Sequence, residues 1–152
     1  MLFFSLVPAP PALAQDKAAN PAATKPPERQ LVLKTIGNGR MLGRRAAFRI
    51  YEAPDGTQTW VWYGRFASDE QAKNAIEEWV KPYKLIRRDQ ARDPSGEIIG
   101  ERIIVSAGKE GDDAEYRIVR RDILNYWLID SKSLADVTQL DASIDASSLA
   151  GR

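Results

Sequence analysis

Turn-forming clusters cut this chain into short runs, and that punctuation constrains its fold more than any other feature. Gly37-Asn38-Gly39, Pro54-Asp55-Gly56 and Asp93-Pro94-Ser95-Gly96 are turns of the Gly/Pro type, and residues 109–113 (KEGDD) and 122–125 turn the chain again. Connections this short join antiparallel neighbours, because parallel neighbours need a crossover of a dozen or more residues. The runs between them read as strands at 31–33, 46–52, around Trp60, 83–88, 98–106, 115–121 and 126–129. In the second, Phe48 and Ile50 alternate with Arg49 and Tyr51, as in a strand with one buried face.

Two segments carry a helical period instead. Ser68-Asp69-Glu70-Gln71 is a capping box, with Asp69 and Glu70 placed at the positive end of the helix dipole. Behind it Ala72, Ala75, Ile76, Trp79 and Val80 form one apolar stripe that stops before Pro82. Ser133-Leu134-Ala135-Asp136 opens a second helix, with Leu134, Val137, Leu140 and Ile144 on one side. The expected architecture is α+β: an antiparallel sheet of about five to seven strands with two helices packed on one face, the other face wholly or partly in water.

The ends read differently from the middle. Residues 1–14 (MLFFSLVPAPPALA) combine a short apolar run with an Ala-x-Ala site, the pattern of an export signal cut before Gln15. The positive residues that normally precede such a run are missing, as expected if the true start lies upstream. Residues 15–29 are rich in Ala, Pro and Lys without apolar period and read as a disordered linker; 30–146 is one domain, and 147–152 a frayed tail. The expected location is secreted or periplasmic, with no membrane span because the apolar run is too short.

Composition then narrows function. With 152 residues there is room for one core, and a formal net charge of +1 gives no general attraction to nucleic acid. Neither Cys nor His occurs, which removes disulfides, thiolate zinc sites, Ser-His and Cys-His nucleophiles and the usual neutral-pH base. No cofactor or metal is expected, and a non-enzymatic role is favoured; catalysis would fall to carboxylates, Lys, Tyr or a Ser-Lys pair.

Several motifs read as structure. Gly37-Asn38-Gly39 with Gly43 departs from the dinucleotide fingerprint by one residue and no helix follows it. Ser106-Ala107-Gly108-Lys109 satisfies SxxK at a strand end rather than on a helix. Glu77-Glu78 diverge on a helix, and Asp112-Asp113 lack calcium-loop spacing. The constellation with most chemistry is distributed. By strand parity Arg49, Tyr51, Arg102 and Arg117 gather on a sheet face opposite the apolar positions, joined by either Trp60 with Trp62 or Val61 with Tyr63. With Arg65, these residues form a candidate surface for stacking sugar rings or pairing with anions; the plainer reading is ordinary cross-strand cation-π pairing.

The run from Tyr63 to Ala72 (YGRFASDEQA) resembles the local pattern of SPOR repeats, where an aromatic strand, a glycine, a phenylalanine and a capped helix recur. That resemblance implies binding to peptidoglycan glycan strands through Trp62, Tyr63, Arg65 and Phe66. The second half-repeat is missing: Tyr126-Trp127-Leu128 leads to Ser131-Lys132-Ser133 without a Gly-Pro-Phe-like segment. Together these readings point to an exported, non-catalytic binding or interaction module of the cell envelope, whose partner is a glycan or a protein. Alternatives are a peptidoglycan-binding domain using the aromatic and Arg face, and a cofactor-free hydrolase using carboxylates.

Overall fold

The structure is a computed structural model that describes residues 27–108 and 114–150, with side chains as far as 144. The expected export signal, nearly all of the linker, Lys109 of SxxK and Asp112-Asp113 lie outside the described residues.

The strands are β1 (Val32–Met41), β2 (Arg44–Glu52), β3 (Gln58–Arg65), β4 (Lys84–Arg92), β5 (Ile98–Ala107), β6 (Glu115–Asp122) and β7 (Asn125–Ser131), with helices α1 (Asp69–Val80) and α2 (Leu134–Ala150). They form one 7-stranded sheet in the order β1-β2-β3-β7-β6-β5-β4, antiparallel throughout. The α+β class and the antiparallel sheet are therefore as expected. The chain lays down one meander, β1 to β3, crosses by α1 to the far edge, and returns by a second meander that closes β7 onto β3.

Both helices begin as expected. Ser68 Oγ accepts from the Gln71 N–H, and Ser133 Oγ accepts from the Asp136 N–H, each at 3.2 Å. They do not share a face, however. Ala72, Ile76 and Val80 of α1 pack on Ile103, Val105 and Val119, whereas Val137 and Leu140 of α2 pack on Val61, Ile104, Ile118 and Ile129. Ile103 and Ile104 are consecutive in β5 and so point to opposite sides. The expectation of two helices on one face is corrected to one on each. The physical reason is that β5, β6 and β7 carry apolar side chains in consecutive pairs, and both members need cover.

A second correction concerns Gly37-Asn38-Gly39, which is not a turn but the middle of β1. A Cβ at Gly37 would stand 2.5 Å from Phe48 Cζ, and one at Gly39 would stand 3.1 Å from the Trp62 ring. These glycines make room for aromatic rings. The turn falls later, at Leu42 and Gly43, whose φ values of 51° and 74° suit a two-residue hairpin. The glycine-free β6–β7 turn puts Ile123 at φ 50°, a costly conformation for a β-branched residue. It is held there because the Ile123 N–H donates to the Ile99 carbonyl and its own carbonyl accepts from Arg121. Arg121 is fully buried and also pairs with Asp69 and Glu101, tying the start of α1 to β5 and β6.

The chain enters this fold through Arg29, the last residue of the expected linker. Its N–H donates to Gln139 Oε1 at 2.9 Å and its carbonyl accepts from Gln139 Nε2 at 2.7 Å. Its guanidinium meets Asp55 at 2.5 Å and the buried Asp136 at 3.4 Å.

Candidate functional site

Seven strands are wider than one helix, and each helix settles on the β5–β7 side, so β1, β2 and β3 keep parts of both faces open. On the α1 side this open part carries Phe48, Trp60 and Trp62. Register puts Phe48 opposite Trp62, and Trp62 opposite Leu128, so the rings share a face with the core that α1 covers. Trp60 and Trp62 lie nearly parallel, at 14° with centroids 6.0 Å apart, and Phe48 leans on both at 5.4 and 5.0 Å. All three rings are half-buried.

The tryptophans border a shallow hollow of about 430 Å³, whose polar lining includes Gln58, Glu115, Asp130 and Lys132. Asp130 is pushed up from the ordinary carboxylate range chiefly by burial, against the attraction of Arg117 and with a further push from Glu115. Arg117 sits between these carboxylates, 3.0 Å from Glu115 and 3.5 Å from Asp130. It also donates to the Tyr83 hydroxyl and lies 4.7 Å over that ring and 5.8 Å over Trp79. An arginine engaged on every side holds the end of α1 against the sheet rather than waiting for a ligand.

The seven residues nominated from sequence therefore do not converge. Trp60, Trp62 and Arg117 share the α1 face, whereas Arg49, Tyr51 and Arg102 belong to the α2 face. Val61 and Tyr63, not the tryptophans, join Arg49 and Tyr51. Arg102 is taken up by Asp141 at 2.5 Å and by Asp89 at 3.6 Å, which makes it a tie between β5, β4 and α2. Arg65 ends β3 opposite Asn125, exposed and away from the hollow beside the tryptophans. Tyr51 packs against the α2 core, and Arg49 stays exposed. Phe48, Asp130, Gly37 and Gly39 were missed as members of the site. Glycines two apart beside an aromatic strand are the signal that points to them.

The remaining motifs resolve as structural. Glu77 pairs with Arg88 at 2.8 Å and Glu78 with Lys81 at 3.6 Å, so the two diverge as expected. Ser106 lies near the end of β5. Among the described residues no group of three or more Asp or Glu is placed to hold a metal ion, and no helix is long and apolar enough to cross a membrane. In comparisons with known proteins the chain matches no family model, no curated protein and no solved structure. The likeness to SPOR repeats thus stays confined to residues 63–72, where Tyr63 and Arg65 face away from Trp62.

Proposed function

We propose that this protein is a non-catalytic binding module of the cell envelope, and that its ligand is a glycan strand lying on the Trp60–Trp62 platform. The observation that carries the reading is the pair of parallel, half-buried indoles on the part of the sheet that α1 leaves open. Aromatic faces of this kind pack against the apolar faces of sugar rings. Polar groups along the hollow, Gln58, Asp130 and Lys132, suit the hydroxyl and amide groups at a sugar's edge. The shallow shape suits a polymer that passes across the surface rather than a small substrate enclosed by it. A hydrolase would draw on Asp130 and Glu115, and both are engaged with Arg117.

Retention on purified peptidoglycan sacculi tests the proposal, with Trp62→Ala and Arg65→Ala compared with the parent chain. Retention should fall about two- to tenfold in Trp62→Ala, the stacking of one ring being worth roughly 0.5–1.5 kcal/mol, and should persist in Arg65→Ala. Equal retention of parent and Trp62→Ala, or none by the parent, removes the glycan reading.

A further inference from the structure

The open strands carry a second concavity on their other side. α2 rests on β6 and β7, and between its Leu140–Ile144 turn and β1–β3 lies a hollow of about 400 Å³. Val61 and the small Ala47 line it from the sheet, Leu140 from the helix, and Tyr63 and Trp127 meet ring to ring at 5.3 Å beside them. Among the described residues Arg49 is the one charged side chain of this lining.

Arg49 differs from the arginines of β5 and β6. Arg102 has Asp141 and Asp89, Arg117 has Glu115 and Asp130, Arg120 has Asp141, and Arg121 has Asp69 and Glu101. Among the described residues no carboxylate lies within ion-pair distance of Arg49; its cross-strand neighbours are Ile36 and Val61. A mostly apolar and aromatic hollow with one unmatched guanidinium has the chemistry of a receptor for a molecule with an apolar body and a single negative charge.

We propose that this hollow binds a small amphipathic carboxylate. Its apolar chain lies between Val61, Leu140 and Trp127, and its carboxylate pairs with the Arg49 guanidinium, whose planar fork matches two carboxylate oxygens. One cation selects a monoanion over a phosphate dianion. The volume is near the lower end of the range for ligand cavities, roughly 300–1,000 Å³, which limits the body to about a medium acyl chain. The two tryptophans of the platform lie across the sheet from this site, and of the platform's three rings Phe48 alone borders it.

Calorimetric titration of the full chain with decanoate, with decanol as the uncharged comparison, tests the assignment. Decanoate should bind saturably, and both decanol and the Arg49→Gln variant should weaken binding by about tenfold or more, the worth of a charge-assisted pair. Arg49 is exposed, so its replacement leaves the core untouched, and circular dichroism checks this. Ala47→Leu, which fills the hollow, should abolish binding, whereas Trp62→Ala, which damages only the platform, should leave it unchanged. Absence of saturable binding, equal affinity for decanol, or full affinity in Arg49→Gln would overturn the proposal.

Discussion

β5, β6 and β7 are sandwiched between two helices, whereas β1, β2 and β3 are largely bare, and almost everything that resembles a binding surface lies on the bare strands. In the sandwiched strands Ile103, Ile118, Leu128 and Ile129 are wholly buried, and the intervening arginines are matched by carboxylates. On the bare strands Val32, Leu33, Ile36 and Tyr63 are exposed, and Arg49 has no carboxylate at ion-pair distance among the described residues. The two outer edges differ too. β4 carries Lys84, Arg87, Arg88 and Arg92 with two register shifts, devices that discourage another strand from adding to it. β1 is ten residues long with Lys34 and Arg40 as its only charges. The division of labour follows: one part of the sheet supplies stability, and the other keeps surface available.

The sharpest test of that contrast compares two isoleucines. Ile118→Ala should cost about 2–5 kcal/mol, as deletion of a fully buried aliphatic side chain does, while Ile36→Ala, at a side chain 66% exposed, should stay within about 0.5 kcal/mol. Urea unfolding measures both, and comparable losses would break the comparison. Glycine substitutions follow in size. A Cβ at Gly64 would stand 2.6 Å from the ring of Tyr126, which is buried and donates to the Met41 carbonyl, so Gly64→Ala should cost about 1–3 kcal/mol. At Gly39 the obstacle is the edge of half-buried Trp62 at 3.1 Å, which has room to yield, and the loss should be smaller.

Ile123→Gly should instead stabilise by about 1 kcal/mol, since glycine occupies positive φ without the strain that isoleucine bears there. A loss in thermal unfolding would mean that the Ile123 side chain contributes more than its backbone costs. The subtlest test is a titration. The Thr57 backbone N–H, then its hydroxyl and Arg29, lower the Asp55 carboxyl from 3.8 to about 2. A folded value below the unfolded one contributes stability in full above about pH 4, which is lost as pH falls towards 2. Carboxyl carbon shifts should give a midpoint near 2, rising in Arg29→Ala but staying below 3.8; a parent midpoint at 3.8 would remove this link between the linker and the β2–β3 turn.

Much of this was legible in the chain itself. Turn clusters, capping serines and apolar period located β2 to β7 and both helices, because those signals are local, but caught only the first residues of β1. Helix placement was harder, yet Ile103-Ile104-Val105 and Ile118-Val119 contain it: consecutive apolar residues in a strand demand cover on both sides, and one helix cannot supply it. The candidate site was only partly readable. Parity assigns Trp60 and Trp62 together but does not say which neighbour's face they join, since that is set by pairing register across β2, β3 and β7. Arg102 looked available because its partner Asp141 lies on an element distant in the chain, and Arg117 because its partners Glu115 and Asp130 are brought to it by strand alternation and by the β6–β7 register. Gly37 and Gly39 looked like a turn because glycine signals either bending or crowding, and only the position of Phe48 and Trp62 distinguishes the two.

The attachment of Arg29 to α2 has a mechanical consequence. β1 is an outer strand at the start of the fold, and a pull along its upstream chain would peel such a strand one hydrogen bond at a time. Here the load meets Gln139, Asp136 and Asp55 first, through contacts that stretch together rather than in sequence. A domain held by its N-terminal side would therefore transmit tension into α2 and spare the sheet edge, keeping the Trp60–Trp62 pair in shape under load.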